Sequence, residues 1–477
     1  MLLMNKISHI HFIGICGTGM ASLALMLKDQ GYEITGSDEG VYPPTSDLLA
    51  SKQIRITQGY HLDNLRPEPD LAVIGNALSR GNPEIEYVLN FRIPYTSLPE
   101  AIKDFFLREK TCVVVTGTHG KTTSTSMIAW ALHSSGYQPS FFIGGIAENF
   151  QTGCQIGAGK HFVIEGDEYD SAFFDKGPKF LHYMPEVAVI GNVEFDHADI
   201  YADLEAIKLQ FRRFVNVIPG RGFLVIGADS RAALEVSEKS FCRKETFGLD
   251  PSFDWSVRNI EMGGGRLCFE ALYKTKLFRR FRLEVIGLYN IRNALAAMAV
   301  LRHLGVPEDD IRDAMESFRG VRRRMQLRAD VNGIRIYEDF AHHPTAVRET
   351  LQAARDALHP TRLWAIYEPR SATSRRNVFQ REIAEALSLA DCIALPELFR
   401  PERVPASERL DIGRLVADLR RAGRAAWNLV SVEGIISKVC EEVCPGDLVV
   451  ILSNGGFGGI YEKLPAAFKQ RLIDDVH

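Results

Sequence analysis

One stretch of the chain, TCVVVTGTHGKTT at residues 111–123, joins an apolar run, a glycine loop and the start of a helix-like segment. The β-branched residues before the loop predict a buried strand of a parallel sheet. Gly117 and Gly120 would let backbone N–H groups approach phosphates at a helix N-terminus. Lys121 would supply charge at the β/γ end of a nucleotide, and the Thr122 hydroxyl suits Mg²⁺. The stretch therefore predicts an α/β domain with a P-loop that binds ATP.

This loop departs from the general P-loop pattern at one position. The pattern G-x-x-x-x-G-K-[ST] has a glycine where this chain has Val115. The loop is instead the form G-T-x-G-K-T-T, and a strand pattern still precedes it and a helix pattern follows it. The alternative interpretation is a chance glycine turn before a helix.

Strand and helix patterns alternate along most of the 477 residues, which predicts parallel sheets with helices on their faces. New units open at Thr111 and near Arg328. At about 150 residues per domain, the length fits three domains. We predict three α/β units in series, spanning residues 1–108, 109–325 and 326–477.

Composition excludes several classes of protein. Lys and Arg number 56 against 60 Asp and Glu, so the net charge of −4 lacks the basic surplus of a general nucleic-acid binder. The eight cysteines form no C-x-x-C pair and indicate no zinc site. No apolar run approaches the roughly 20 residues of a membrane helix, and the N-terminal segment leads into a strand pattern rather than a signal peptide. We expect a cytoplasmic protein with no nucleic-acid or membrane partner.

Two acidic segments follow predicted strands, VIEGDEYD at residues 163–170 and IGNVEFDHAD at residues 190–199. Ligands of parallel α/β sheets bind beyond the carboxyl ends of the strands, so both segments should face the phosphate loop. Mg²⁺ takes only one or two protein carboxylates, and most of these acids must serve as caps or solvated groups. We predict Glu168 and His197 as the metal contacts. The alternative for His197 is a helix-capping or core histidine.

The first predicted unit has a glycine turn of its own, in HFIGICGTGMASLAL. Gly14, Gly17 and Gly19 lie between a strand and a helix, but Cys16 takes the place of the second glycine of the dinucleotide fingerprint G-x-G-x-x-G. Asp38 ends the next strand, where an acid contacts a ribose hydroxyl. The turn predicts a nucleotide-diphosphate site, and the alternative is a packing turn without a ligand.

Seven segments in this order resemble the Mur ligases, the ATP-dependent amide-forming enzymes of bacterial peptidoglycan: GICGTGM, GTHGKTT, EGDEYD, NVEFDH, GLYNIRNALAA, FRGVRRRMQ and EDFAHHPT. The resemblance covers essentially the whole chain. It implies a Rossmann-like UDP-binding domain at 1–108, a central P-loop ATPase domain at 109–325 and a Rossmann-like, peptide-binding C-terminal domain at 326–477. It also implies ATP and Mg²⁺ as cofactors.

Within the family, GICGTGM is similar to the two ligases that take UDP-N-acetylmuramic acid itself. One adds L-alanine during synthesis, and the other adds the recycled murein tripeptide L-Ala-γ-D-Glu-meso-diaminopimelate. The segments VIGNALSRGNPEIE, EYDSAFFDKGPKFLHY, EPRSAT and SNGGFGGI resemble the second. We therefore expect tripeptide ligation through an acyl phosphate, in peptidoglycan recycling, with the L-alanine ligase as the alternative.

The resemblance also implies functional residues at matching positions. The UDP-sugar site would comprise Gly17, Thr18, Gly19, Met20, Asp38, His61 and Asn76. The ATP site would comprise Gly117, His119, Gly120, Lys121, Thr122, Thr123, Asn293, Arg324 and Asp339. Candidates for the incoming peptide are Arg370, Ser371, Asn454 and Gly455. Lys121, Glu168 and His197 would serve catalysis, with Thr122, Glu168 and His197 contacting the metal.

Three details depart from the family's pattern or stay open. Tyr289 occupies a position where the family usually has histidine. Lys208 does not align with the carbamylated lysine that some Mur ligases use, and it has no assigned role. Of the arginine run Arg322–Arg324, we expect one residue to function and the other two to be surface charge.

Two alternatives belong to other classes of protein. An NAD-dependent oxidoreductase would use the first glycine turn but would leave the loop at residues 117–123 unexplained. A non-catalytic ATP-binding sensor of wall precursors would bind nucleotide without acceptor-dependent phosphate release. The oligomeric state stays open.

Overall fold

The structure is a computed structural model that describes residues 7–43 and 45–474. The chain divides into two compact units. Unit 1 contains the chain up to Glu194, Leu204–Trp255 and Leu295–Ala314. Unit 2 contains Phe195–Asp203, Ser256–Ala294 and the chain from Met315 onward. The domain boundaries near residues 108 and 325 stay predictions.

The first part of unit 1 is a five-stranded parallel sheet with the order β3-β2-β1-β4-β5. Its strands are β1 (His9–Ile13), β2 (Glu33–Asp38), β3 (Arg55–Gln58), β4 (Leu71–Ile74) and β5 (Tyr95–Ser97). Its helices are α1 (Thr18–Asp29), α2 (Thr45–Ser51), α3 (Pro83–Phe91) and α4 (Leu98–Ile102). The order reverses around β1, so the crevice at the carboxyl ends of β1 and β4 is where a ligand binds in such a sheet.

The second sheet of unit 1 centres on the strand that leads into the predicted P-loop. Its strands in unit 1 are β6 (Thr111–Thr116), β7 (Ser140–Ala147), β8 (Thr152–Gln155), β9 (His161–Gly166), β12 (Val187–Ile190), β13 (Phe223–Gly227) and β14 (Arg243–Phe247). A separate two-stranded antiparallel sheet comprises β10 (Asp170–Ala172) and β11 (Asp175–Pro178). Within unit 1 the order is β14-β13-β12-β6-β9-β7-β8. The accompanying helices are α5 (Lys121–Ser134), α6 (Leu204–Asn216) and α7 (Arg231–Ser237). Strand β6 is buried between β12 and β9, as its β-branched sequence predicts.

Unit 2 contains a β-ladder and a six-stranded sheet. The ladder comprises β15 (Trp255–Gly263), β16 (Arg266–Tyr273) and β17 (Lys276–Leu283). Next along the chain, α8 (Leu288–His303) belongs to unit 2 up to Ala294 and to unit 1 from Leu295, and α9 (Glu308–Glu316) belongs to unit 1 up to Ala314. The six-stranded sheet has the order β18-β19-β23-β20-β21-β22, where only β18 is antiparallel to its neighbour. Its strands are β18 (Gln326–Val331), β19 (Ile334–Asp339), β20 (Leu363–Tyr367), β21 (Cys392–Pro396), β22 (Ala425–Leu429) and β23 (Leu448–Leu452).

Helices cover both faces of this six-stranded sheet, and a hydrophobic cluster lies on each face. The helices are α10 (Pro344–Leu358), α11 (Gln380–Leu387), α12 (Ile412–Arg421), α13 (Val432–Glu442) and α14 (Ile460–Asp474). Burial on both faces explains why β20 and β23 are continuous apolar runs rather than alternating ones. The predicted α/β class is confirmed. Within residues 7–43 and 45–474, no helix is long and apolar enough to cross a bilayer.

Candidate active site

The predicted phosphate loop lies between β6 and α5, and its glycines adopt backbone angles that favour glycine. Gly117 has φ +131° and Gly120 has φ +80°. A Cβ on Gly117 would lie 3.0 Å from the Asn192 backbone nitrogen, so the close approach of the two chains requires glycine there. Helix α5 begins at Lys121, directly after the loop. The loop therefore directs the N-terminus of a helix at any bound phosphate.

Lys121 is held inside this loop. Its ammonium donates to the Gly117 carbonyl at 2.7 Å and to the Glu168 carboxylate at 2.9 Å. Burial opposes the charge, but the carboxylates of Glu168 and Asp167 outweigh burial and raise the pKa of Lys121. The lysine is a fixed cation at the position where the phosphates of a nucleotide would lie. Glu168, predicted as a metal contact, is the ion-pair partner of this lysine.

Glu165 and Thr122 form a second polar pair at the loop. Glu165 lies near the end of β9 in register with Val115 of β6, and it accepts hydrogen bonds from the Thr122 side chain and, at 3.0 Å, from the Gly144 backbone N–H. Its Oε1 atom is buried and has no hydrogen-bond partner among the residues that the structure describes. Burial, with Asp167 nearby, raises the pKa of Glu165. A buried carboxylate oxygen beside a threonine hydroxyl fits Mg²⁺, which prefers hard oxygen ligands.

The sequence reasoning preferred Glu168 over Glu165 in this acidic cluster. Glu165 lies within the strand next to β6, and Glu168 follows that strand's end. The assignment of Glu168 to the metal stays a prediction, and Glu165 is a second candidate.

The segment after β12 braces the other side of the loop. The His119 backbone N–H donates to the Asn192 side chain at 2.8 Å, and its ring lies 3.5 Å from the Glu194 carboxylate. The Glu194 backbone N–H donates to the Thr118 hydroxyl at 2.9 Å. Thr123 is buried in the first turn of α5. Asn192 and Glu194 therefore fix the shape of the loop.

His197 belongs to unit 2, in the short segment Phe195–Asp203. The neighbouring Asp196 is buried. One of its carboxylate oxygens lies 4.0 Å from the Nε2 atom of His197 and 4.0 Å from the Nε2 atom of His342. Burial opposes ionisation of Asp196, but the neighbouring histidines outweigh it and lower its pKa. The Ala198 backbone N–H donates to Thr373 at 3.0 Å, which ties the segment to the loop after β20. His197 has φ +56°.

The other predicted ATP contacts, Asn293, Arg324 and Asp339, also belong to unit 2. Asp339 ends β19, is buried and accepts the backbone N–H of Met325 at 2.7 Å. Burial raises the pKa of Asp339 although Arg324 opposes this. The Asn293 amide donates to the Asn290 side chain at 3.1 Å.

Tyr289, which stands where the family usually has histidine, packs within a small cluster formed by Ile286, Ala353 and Ala357. Burial raises the pKa of Tyr289 above its ordinary value. Tyr289 is thus packed against apolar side chains of unit 2.

The first glycine turn lies between β1 and α1, as predicted. Gly17 directly precedes α1 with no side-chain cap, and Thr18, Gly19 and Met20 form the first turn of the helix. This leaves backbone N–H groups at the helix start for an anion. Asp38 accepts the backbone N–H groups of Cys16 and Gly40, each at 2.9 Å. Asp38 therefore shapes the turn, in addition to its predicted contact with the nucleotide-sugar.

His61 is positioned by a buried carboxylate that the sequence reasoning missed. Glu84 is 0% exposed and accepts hydrogen bonds from the His61 backbone N–H at 3.0 Å, Asn64 at 2.6 Å and Ser37 at 2.5 Å. His11 lies 3.5 Å from the same carboxylate. The predicted Asn76 lies at the surface, with its amide 3.5 Å from the Asp170 carbonyl.

Replacing Glu84 by glutamine is expected to lower the free energy of unfolding by about 2 kcal/mol at neutral pH, because hydrogen bonds to a charged acceptor are lost. Burial opposes ionisation of Glu84, but hydrogen bonds from His11, Ser37 and Asn64 outweigh it and lower its pKa below 4.5. The stabilisation is therefore present above pH 4.5 and is lost as the pH falls through the lowered value. Urea unfolding of both proteins at several pH values measures this, and a difference that does not shrink in acid would contradict it.

The predicted peptide residues all lie at the carboxyl ends of β20 and β23 in unit 2. The Arg370 guanidinium lies 3.9 Å from the Phe399 ring centre and 3.4 Å from Glu368. Gly455 packs against Arg370 so closely that a Cβ there would overlap the arginine. Ser371 lines a small cavity together with Asp196, His342 and Tyr367. The Asn454 Oδ1 atom is buried and has no hydrogen-bond partner within the described part of the chain.

Lys208 lies in α6, with its ammonium 2.8 Å from Glu205 and 2.6 Å from Glu235. Hydrogen bonds that the ammonium donates to both carboxylates raise the pKa of Lys208. Carbamylation needs a neutral amine, so this pairing disfavours it.

Three family models match the chain in the predicted order. The Mur ligase family catalytic domain matches residues 9–110, the Mur ligase middle domain residues 115–301, and the Mur ligase glutamate ligase domain residues 323–455. The chain belongs to the Mur ligase family, whose enzymes are ATP-dependent ligases that form amide bonds.

Among its relatives is the UDP-N-acetylmuramate–L-alanyl-γ-D-glutamyl-meso-2,6-diaminoheptandioate ligase of Escherichia coli K12, 40% identical over 95% of this chain and 97% of that protein. The crystal structure of a murein peptide ligase from Psychrobacter arcticus has a TM-score of 0.72 and 36% identity, covering 97% of this chain and 98% of that one. The UDP-N-acetylmuramate–L-alanine ligase of Acetivibrio thermocellus is 32% identical, over 96% of this chain and 95% of that protein.

Proposed function

We propose that the chain joins UDP-N-acetylmuramic acid to the tripeptide L-Ala-γ-D-Glu-meso-diaminopimelate, with ATP and Mg²⁺, in peptidoglycan recycling. The observation that carries this proposal is the full-length similarity to ligases named for that substrate pair, at 40% identity against 32% for an L-alanine ligase. The P-loop with its fixed lysine supports the use of ATP. Free cysteines fit a cytoplasmic enzyme.

The proposed reaction activates a carboxylate before the amide bond forms. The γ-phosphoryl group of ATP passes to the lactyl carboxylate of the muramic acid and gives an acyl phosphate. The amino group of the peptide's alanine attacks the acyl carbon, and the tetrahedral intermediate expels phosphate as the C–N bond forms. Positioning and charge stabilisation supply most of the catalysis of phosphoryl transfer.

Within this reaction, Lys121 binds the β- and γ-phosphates and stabilises the charge that develops on the transferred group. Thr122 and Glu165 would hold Mg²⁺, which would neutralise phosphate charge. The sequence-based alternative places the metal on Thr122, Glu168 and His197. Glu168 holds the ammonium of Lys121 at 2.9 Å and so orients it.

The peptide would bind at the carboxyl ends of β20 and β23. Its three carboxylates favour an arginine, whose planar group pairs with carboxylates bidentately, and Arg370 is 30% exposed there. The buried, unpaired Oδ1 of Asn454 is an acceptor for an N–H group of the peptide.

Phosphate release with ATP, Mg²⁺ and UDP-N-acetylmuramic acid tests the proposal, with the tripeptide and L-alanine compared as acceptors. We expect turnover that depends on the tripeptide. Turnover with L-alanine alone would identify a synthetic ligase, and nucleotide binding without any acceptor-dependent release would identify a sensor.

A further inference from the structure

Arg323 makes contacts that its position in a run of three arginines does not reveal. Its Nε donates to the Glu338 carboxylate at 2.6 Å, and its guanidinium lies 5.1 Å from the Phe340 ring centre and 5.8 Å from that of Tyr461. Glu338 is 3% exposed, and the Arg323 side chain is 34% exposed. Arg323 is therefore half-buried and ion-paired, which differs from the expectation that two of the three arginines are surface charge.

The remaining donors of Arg323 reach the loop that follows β23. One terminal nitrogen donates to the Ser453 carbonyl at 3.0 Å and to the Gly455 carbonyl at 2.8 Å. These two carbonyls flank Asn454. The Tyr461 hydroxyl donates to the Gly455 carbonyl as well, at 3.1 Å. The Gly455 backbone N–H also donates to the Ser453 hydroxyl at 3.0 Å, and the Ser453 backbone N–H donates to the Asp339 carbonyl at 3.1 Å. The Arg323 guanidinium and the tyrosine hydroxyl add to these bonds in fixing the backbone on both sides of Asn454.

Fixing the backbone fixes the direction of the Asn454 side chain, whose Oδ1 is buried without a partner in the described residues. The same loop position lets Arg370 lie across Gly455, where any side chain would displace it. Arg323 touches neither group. It holds the backbone that presents both of them.

We infer that Arg323 is a positioning residue for the peptide acceptor: it clamps the carbonyls of Ser453 and Gly455 and so presents Asn454 and Arg370 to the tripeptide. This inference rests on the proposed function. It assigns to Arg323 an effect on the acceptor alone, whereas the neighbouring Arg324 is the predicted ATP contact.

The test replaces Arg323 by lysine, which keeps the charge but cannot reach both carbonyls and Glu338 with a planar group. We expect the KM for the tripeptide to rise about tenfold, because one to two hydrogen bonds are lost. The KM for ATP and the KM for UDP-N-acetylmuramic acid should stay unchanged. Tyr461→Phe removes one hydroxyl from the same loop and should raise the tripeptide KM by a smaller factor. Arg322→Lys is the matched control and should behave as wild type.

A tripeptide KM that stays at the wild-type value in both variants would overturn the inference. An equal rise in all three KM values, with a lower melting temperature, would also overturn it, because it would show a structural role only. If Arg323→Lys does not fold, Tyr461→Phe decides the question. Wild-type protein that releases no phosphate with the tripeptide would instead refute the proposed function, a result that the variants cannot mimic.

Discussion

Lys121→Ala is expected to lower the ATP-dependent turnover about 10²–10³-fold, the usual effect of removing one group that stabilises charge in the transition state. The ammonium is fixed by the Gly117 carbonyl and the Glu168 carboxylate, so the substitution removes a positive charge held in the loop. Acceptor-dependent phosphate release, measured at saturating substrates, gives the size of the loss.

The control must separate chemistry from folding, because Lys121→Ala leaves Glu168 buried without its cation. Lys121→Arg keeps the charge and the ion pair while changing the geometry, and it should fold but remain impaired. Lys160→Ala removes an exposed lysine near the start of β9 and should be neutral. Wild-type turnover in folded Lys121→Ala would refute the role of the P-loop.

Glu165→Gln is expected to raise the Mg²⁺ concentration needed for half-maximal turnover about 10–100-fold, because neutralising a carboxylate at a metal site weakens metal binding. The amide has the same shape, and it removes a carboxylate whose pKa burial already raises, so the fold should be retained. A titration of turnover against Mg²⁺, with circular dichroism as the folding check, measures the effect.

Glu168→Gln is the matched variant three residues away. Because Glu168 pairs with Lys121, its loss should lower turnover and leave the Mg²⁺ requirement unchanged. The sequence-based prediction that Glu168 contacts the metal gives the opposite pattern, with the larger shift in Mg²⁺ requirement in Glu168→Gln. The pair of titrations therefore identifies which carboxylate serves the metal.

Local sequence predicted the parts of the site that depend on local physics. The strand, loop and helix at residues 111–134 appear as expected, because glycines with positive φ and a helix start are encoded within a few residues. The same holds for the turn before α1, although Cys16 replaces a fingerprint glycine.

Contacts between distant segments were not predictable in this way. Arg323 meets the Gly455 carbonyl across 132 residues, and Glu84 meets Ser37 across 47 residues. Such pairings depend on which strands become neighbours, and β19 lies beside β23 although more than 100 residues separate them. The sequence around an arginine in a basic run, or around a glutamate at a helix start, does not indicate these contacts.

A competition experiment tests which acceptor the enzyme uses. The protein is given ATP, Mg²⁺ and UDP-N-acetylmuramic acid with equal concentrations of the tripeptide and L-alanine, and the UDP-linked products are identified by mass. We expect the tripeptide adduct as the main product. A main product that carries L-alanine alone, or ATP hydrolysis with no UDP-linked adduct, would contradict it.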